Sequence, residues 1–471
     1  MKISQPVENG KWRRMLFALV NLNGLNSVTN MPSNSRLYKK FLAAALAANL
    51  AVIFYFWWRG SHAFITGDLG KQLIAYGRIS GLLLVFLVLV QLILIGRTGW
   101  VEKVFGLDKL SRLHHWIGFF LAALLVGHPL LLTLGYSQFT DSGILEQFVG
   151  FQGWQDVLAA TAAFGLFLIL ILASLIVLTK KMKYETWYFI HLIAYAAILL
   201  AFGHQLAVGR DLQDKSFATY WYALYVFVLL NLLYFRFYLP LRNYLRHGFQ
   251  VKKIVHETAD VISVYLTAHD LPRFRFKAGQ FLIVRFLAKG LWWQAHPFSL
   301  SCAPGSGLRL TIKRSGDFTA ALWGLKPGTK MLVDGPHGAF TADCAARGKF
   351  LFIAGGIGIT PILSLIASLT PAGKDCALIY TSRNAAGTVL KNEVDALAAN
   401  HCRVHYIMSA DAGWTGVKGF LNKEILLHLV PDLLQRDVYV CGPPPMMKKV
   451  LADLSSVGVP ATRIHFEKFS L

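Results

Sequence analysis

RLHHWIGFFLAALLVGHPLLLTL, residues 112–134, is apolar and long enough to cross a bilayer, which takes roughly 20 such residues. It nevertheless carries His114 and His115 near one end and His128 further in. Ionisable side chains inside a membrane helix are costly and by default mark a functional position. His128 follows His114 by 14 positions, close to a whole number of helical turns. The two rings therefore share a face, about 21 Å apart along the axis. The same-face argument favours His114 over His115.

Trp187–Leu206 repeats the device with His191 and His204. A single intramembrane histidine is commonly a hydrogen-bonded packing residue. Two pairs of near-equal spacing point instead to metal ligation by His114, His128, His191 and His204, with two haems stacked across the membrane. One difficulty is that His191 and His204 are 13 positions apart, about 140° out of phase on an ideal helix. That helix is expected to wind tighter or to bend, near Gly203.

The 471-residue chain is 55% hydrophobic, and its apolar runs fall almost wholly before residue 240. This describes an integral membrane part joined to a soluble half. The net charge of +22 is not gathered into one tract, so nucleic-acid binding is not expected. Cys302, Cys344, Cys376, Cys402 and Cys441 all lie in the soluble half without a CxxC. They indicate neither a disulfide framework nor a zinc or iron–sulfur site, and a reducing cytosol fits. No CxxCH occurs, so haem would be of the b type, held by axial ligands and packing. Residues 1–38 are basic around Trp12, Met15, Leu16 and Leu19, which reads either as an interfacial helix or as a disordered tail. No cleavable signal is evident there.

Six spans are expected at about 39–58, 73–95, 113–134, 157–179, 187–206 and 220–239, a membrane all-α six-helix bundle over 39–240. Lys/Arg bias orients them. Loops 96–112 (Arg97, Lys103, Lys109, Arg112) and 180–186 (Lys180, Lys181, Lys183) are basic, as is the exit after the sixth span. The opposite loops carry Asp68, Asp141, Glu146, Asp156, Asp211 and Asp214. Both termini are thus expected in the cytoplasm, below the plasma (inner) membrane of the cell. His114 and His191 then lie at an inner level, His128 and His204 at an outer one. Arg78, near the outer end of the second span, either snorkels to the interface or offers its charge to a propionate of the outer haem or to an anion forming there.

From Val251 the pattern changes. VISVYLTA, FRFKAGQFLIVRF and LRLTIKR read as strands punctuated by Gly and Pro, a small antiparallel β-barrel domain over 247–341. Over 348–471 strands alternate with helices, the pattern of an α/β parallel-sheet domain. Gly355, Gly356 and Gly358 follow the strand FLFIA and precede a helix opening at Thr360–Pro361. Glycines let a phosphate approach the backbone, and a helix N-terminus favours its charge. HPFSLS (His296–Ser301), KRSGDFT (Lys313–Thr319) and DGPHGAF (Asp334–Phe340) precede that loop; CGPPPMM (Cys441–Met447) and a terminal FEKFSL follow it.

On these motifs the C-terminal half resembles the ferredoxin–NADP reductase superfamily. With the histidine pairs, the chain from about residue 73 onward resembles a bacterial member of the NADPH oxidase and ferric reductase family. The resemblance implies a di-haem membrane domain, an FAD-binding barrel and an NADPH-binding α/β domain. The LHHWIG context again favours His114. HPFS places His296, Pro297, Phe298 and Ser299 along the flavin ring and ribityl chain. Lys313, Gly316 and Thr319 match the pyrophosphate-side motif, and Gly335 and Gly338 of DGPHGAF join the cofactor-binding set. Gly355, Gly356, Gly358, Thr360, Pro361, Cys441, Gly442 and Pro443 match the pyrophosphate and nicotinamide sites of the dinucleotide, with Cys441 a catalytic candidate beside Arg78. Phe469 matches the terminal aromatic that stacks on the flavin and yields to the nicotinamide; by physics alone a core-packing role is equally open. Ser382 and Arg383 stand where NADPH-using relatives grip the 2′-phosphate, a task suited to arginine, although a plain surface arginine reads the same. The chain departs from the family in two places. No calcium-binding EF-hand loop precedes the first span. One turn after His128, where some eukaryotic oxidases carry a further histidine, stands Leu132.

The expected function is electron transfer from cytosolic NADPH through FAD and two b haems to an acceptor across the membrane. The expected acceptor is oxygen, giving superoxide, or alternatively a ferric or cupric chelate; a periplasmic protein or a quinone is also open. A haem-binding sensor or partner subunit is the rival of a different class, and anaerobic haem reduction by NADPH separates the two. Membrane lipid is the surrounding partner, and no obligate protein partner is implied.

Overall fold

A computed structural model describes residues 33–467 except 180, 181, 183, 346, 347, 400 and 401. The segment around Trp12 and the terminal Phe469 lie outside the described residues. The chain divides into two compact units. One comprises Phe41–Thr98 and Lys109–Phe237; the other comprises the described residues from Tyr238 onward with Gly99–Asp108.

The helices are α1 (Ser33–Ile65), α2 (Leu69–Ile95), the short α3 (Gly99–Phe105), α4 (Leu107–Thr140), α5 (Ile144–Phe151), α6 (Val157–Leu178), α7 (Tyr184–His191), α8 (Ile193–Ala207), α9 (Lys215–Leu232) and α10 (Leu239–His247). Among the described residues, six helical stretches are long and apolar enough to cross a membrane. They are Leu37–Ile65, Leu69–Ile95, Lys109–Thr140, Val157–Leu178, Glu185–Ala207 and Lys215–His247, each overlapping one expected span. Their outer faces leave Leu158, Leu172 and Leu199 exposed, a surface suited to lipid rather than water. Asp68 and Asp214 cap α2 and α9 by accepting backbone N–H groups of Lys71 and of Ser216 and Phe217. Ile53, Trp57, Ala75, Phe86, Phe217 and Trp221 form the helical core.

Two details differ from expectation. The irregularity in the fifth span falls at Leu192, not at Gly203. Leu192 N donates to the carbonyls of Tyr188 and Phe189, each at 3.2 Å, and Tyr195 N donates to that of Leu192 at 3.1 Å. The bonds to Phe189 and from Tyr195 are of the i−3 kind and tighten the winding directly after His191. Gly203 lies within α8 for a steric reason: a methyl group there would come 3.1 Å from the Asp156 carboxyl. The sixth span also runs past residue 239, through a π-helical turn at Leu233–Tyr238 into α10. Pro240 sits in the first turn of α10, where its missing N–H costs least.

In the second unit, β1 (Gln250–Thr258), β2 (Val261–Thr267), β3 (Phe281–Phe286), β4 (His296–Ser299), β5 (Leu308–Lys313) and β6 (Met331–His337) form two antiparallel sheets, ordered β1-β2-β5 and β4-β3-β6. The bridges Leu300–Leu310 and Gln250–Lys330 join the sheets at both sides, closing a barrel without free edges. Ile262, Val264, Leu282, Val284, Phe286 and Leu310 are part of its core. Helix α11 (Asp317–Ala321) follows β5.

The α/β part comprises β7 (Lys349–Gly355), α12 (Ile359–Leu369), β8 (Asp375–Ser382), α13 (Lys391–Ala399), β9 (Cys402–Met408), β10 (Val417–Lys418), α14 (Lys423–Leu429), β11 (Asp437–Cys441), α15 (Pro444–Ser456) and β12 (Ile464–Glu467). Its strands form one parallel sheet ordered β10-β9-β8-β7-β11-β12. The winding reverses between β7 and β11, and ligands of such sheets bind in the crevice at that switch point. The buried Arg309 of β5 ties barrel to sheet, bonding Ser301, Tyr265 and both carboxylate oxygens of Glu393 on α13.

Candidate functional site

Helix α4 carries His114 and His128, α7 ends on His191, and α8 carries His204. The rings meet in two pairs: the centroids of His114 and His191 are 6.0 Å apart, and those of His128 and His204 are 6.5 Å apart. An imidazole–metal bond runs about 2 Å, so two imidazoles on opposite sides of one metal have centroids roughly 6 Å apart. His115 does not share in this; it is exposed and packs edge-on against Phe119 with centroids at 5.2 Å.

The remaining donor geometry fits haem. His128 Nδ1 donates to the Gly77 carbonyl at 2.8 Å, which leaves the Nε2 lone pair for a metal. A methyl group on Gly81 of α2 would lie 2.5 Å from the same ring, so glycine there makes room for the histidine. Nδ1 of His114, His191 and His204 is buried and unbonded. Among the described residues no cluster of three or more His, Cys, Asp or Glu could hold a bare metal ion. Two opposed imidazoles with no third donor suit a metal whose other positions a porphyrin fills.

Arg78 does not snorkel. Its guanidinium pairs with both carboxylate oxygens of Asp211, Nε to Oδ2 at 3.1 Å, and donates to the Gly60 carbonyl at 2.9 Å. The two side chains are 11% and 6% exposed. Burial pushes the Asp211 carboxyl up, against the pull of Arg78. Asp211 thus supplies a counter-charge from within the chain.

In the barrel, His296 and Phe298 project from β4, and the His296 ring stacks on Phe318 of α11 with centroids 3.8 Å apart. This contact brings HPFS against KRSGDFT. Thr319 Oγ1 accepts from Ser315 N at 2.8 Å and donates to the Gly316 carbonyl at 3.0 Å, fixing a loop in which the space beside Gly316 is open. Ser299 is buried, paired across β3 with Phe281, and Pro297 stands opposite Ile283. Lys313 forms an ion pair with Asp260 at 3.3 Å. Gly335 and Gly338 bond outward from the motif: the Gly335 carbonyl accepts from Asn243 of α10 at 3.3 Å, and Gly338 N donates to Glu102 of α3 at 2.9 Å.

At the sheet's switch point the two glycine loops interlock. A methyl group on Gly358 would collide with the Cys441 carbonyl, and one on Gly355 would collide with Met446 and Pro443; Gly442 lies against Gly355. Glycine is therefore needed at 355 and 358 so that the loops after β7 and β11 can approach. Gly356 has φ +52 and open space beside it. Thr360 and Pro361 are buried in the first turn of α12, Thr360 Oγ1 donating to the Ile357 carbonyl at 3.0 Å. Cys441 is fully buried, and burial pushes its thiol well above the ordinary range; its carbonyl packs against Gly358. Ser382 and the exposed Arg383 lie at the C-terminal end of β8, beside β7 on the same edge.

Comparison with known proteins places three families in register with this geometry. Residues 80–202 match the ferric reductase like transmembrane component, 246–341 an FAD-binding domain, and 352–451 the oxidoreductase NAD-binding domain. The NADH oxidoreductase HCR of Escherichia coli is 31% identical over 231 residues, 47% of this chain and 67% of that one. The chain belongs to the NADPH oxidase and ferric reductase family. It carries an FAD-binding domain and an oxidoreductase NAD-binding domain. The glycine betaine monooxygenase reductase subunit of Pseudomonas aeruginosa is 30% identical over 235 residues, 48% of this chain, and the chain spans 64% of that relative's length. Among solved structures, the ferredoxin reductase in carbazole 1,9a-dioxygenase aligns at 28% identity and a TM-score of 0.41, covering 47% of this chain and 68% of that one.

Proposed function

We propose that the chain carries electrons from NADPH on the cytoplasmic side, across the plasma membrane, to oxygen on the far side. The reading is carried by the two histidine pairs, spaced at 6.0 and 6.5 Å and set at two levels of one helix. When bound, FAD turns a hydride into single electrons and two b haems conduct them. The protein's part is to hold, orient and insulate these groups. His114 with His191 and His128 with His204 would supply the axial ligands, and the Gly77 carbonyl would orient His128. His296, Phe298, Ser299 and the Gly316–Thr319 loop would seat the flavin. Gly356 and the α12 N-terminus would face the dinucleotide's phosphates, and Ser382 and Arg383 its 2′-phosphate, which selects NADPH over NADH. One NADPH supplies two electrons; two acceptor molecules take one each, and NADP⁺ and a proton remain inside.

A second reading, with a ferric chelate as acceptor, is favoured by Leu132. This apolar residue follows His128 by one turn and packs on Gly77, so no titratable group stands there to assist oxygen. Anaerobic addition of NADPH to the FAD-loaded protein should reduce both haems; an unreduced spectrum would defeat the proposal and favour a sensor. Reoxidation against oxygen and against ferric chelates then ranks the acceptors, and cytochrome c reduction abolished by superoxide dismutase marks the oxidase.

A further inference from the structure

Helix α3, GWVEKVF, lies in the connection between the second and third spans and buries Glu102 against the barrel. Glu102 is 4% exposed, and its partners His337 and Asp334 are 8% exposed. Glu102 Oε2 lies 2.7 Å from His337 Nδ1, Oε1 accepts the Gly338 N–H at 2.9 Å, and His337 Nε2 lies 3.1 Å from Asp334 Oδ1. One imidazole between two carboxylates is satisfied when both ring nitrogens carry protons. Buried charges persist when they are paired as fully as this. Helix α10, which ends the sixth span, reaches the same strand through Asn243, which donates to the carbonyls of Val333 and Gly335 at 3.5 and 3.3 Å. Two segments continuous with membrane helices thus grip β6. Strand β6 pairs with β3, and β3 with the HPFS strand β4; Phe281 stands opposite His337 on one side and Ser299 on the other.

We propose that Glu102, His337 and Asp334 form a latch that positions the flavin-bearing strands for passing electrons onward. They are positioning residues, acting through β6 without touching the reacting atoms. The proposal rests on the electron-transfer reading above. Its test uses full-length, cofactor-loaded protein carrying Glu102→Gln, Glu102→Asp or His337→Asn. Anaerobic stopped-flow mixing with NADPH follows flavin bleaching and haem reduction separately. Hydrogen exchange over residues 99–105 and 331–338 needs no turnover.

In Glu102→Gln and His337→Asn, haem reduction should slow by about tenfold or more, as misplacement of reacting groups does, while flavin bleaching stays within about twofold. Exchange at α3 and the end of β6 should rise, and Glu102→Asp, which keeps the charge, should recover most of the haem reduction. Wild-type haem reduction and exchange in Glu102→Gln would overturn the latch. So would parallel loss of both half-reactions, which would reduce the triad to a support of the barrel. If the wild-type protein bleached its flavin but never reduced haem, the electron-transfer reading would fall. The exchange measurement would then decide the latch, with unchanged protection overturning it.

Discussion

At the scale of single residues, the proposed haem ligation gives the two histidine pairs separate spectral consequences. His128→Ala or His204→Ala should remove one of two low-spin b-type signals and lower extracted haem by about half. His114→Ala or His191→Ala should remove the other, and His115→Ala neither. His337 supplies a dependence on pH. Burial alone would lower its pKa, but the hydrogen bonds of Asp334 and Glu102 outweigh that and push it up to about 9. A raised pKa means that the imidazolium's contribution is complete below its ordinary value near 6.5 and is lost as pH climbs through about 9. Protection of the Gly338 N–H, corrected for base-catalysed exchange, should therefore hold at neutral pH and fall above about 9; His337→Asn should abolish the dependence. Arg78 and Asp211 are two buried charges that depend on each other. Asp211→Asn should lower stability by roughly 3 kcal/mol, seen as an earlier thermal transition, with most of it regained in the doubly neutral Arg78→Met, Asp211→Leu protein. The histidines were legible because lipid makes any ionisable group conspicuous. Glu102 was not: in sequence it is one acid in a basic loop, and its partner lies 235 positions away.

At the scale of elements, the spans could be read from apolar length alone, and the barrel and the parallel sheet from alternation and glycine punctuation. The break at Leu192 could not be placed, because the histidine phasing demands a rephasing somewhere without saying where. The separate tasks of the loop glycines could not be read for a related reason: a pattern cannot distinguish a glycine with open space beside it from one pressed against a neighbouring loop. The two kinds are separable by substitution. Gly358→Ala drives a methyl group into the Cys441 carbonyl and should cost roughly 1–3 kcal/mol, with weaker NADPH binding. Gly356→Ala has room and should cost only about 1 kcal/mol for its left-handed backbone. Thermal unfolding with and without NADPH measures both.

At the scale of the molecule, the proposed function sets donor and acceptor chemistry on opposite sides of the membrane, with the bare electron as the conducted species. In sealed vesicles with the nucleotide domain outward, NADPH should generate a membrane potential, positive outside, readable with a voltage-sensitive dye. Potassium with valinomycin should collapse the potential and speed turnover. A turnover rate indifferent to that short circuit would argue against electrons crossing unaccompanied.

The position of α3 has a consequence for how such a protein can be divided. Protein-coding regions are often thought of as modules that a single cut releases, and Tyr238 looks like a natural place for one. A fragment starting there would lack the helix that closes over His337, since that piece arrives from between the second and third spans. Its buried imidazole would meet solvent on one side. The freestanding half would gain self-sufficiency only with a replacement lid, so fusion or separation of the two halves in descent should leave its first trace at this patch.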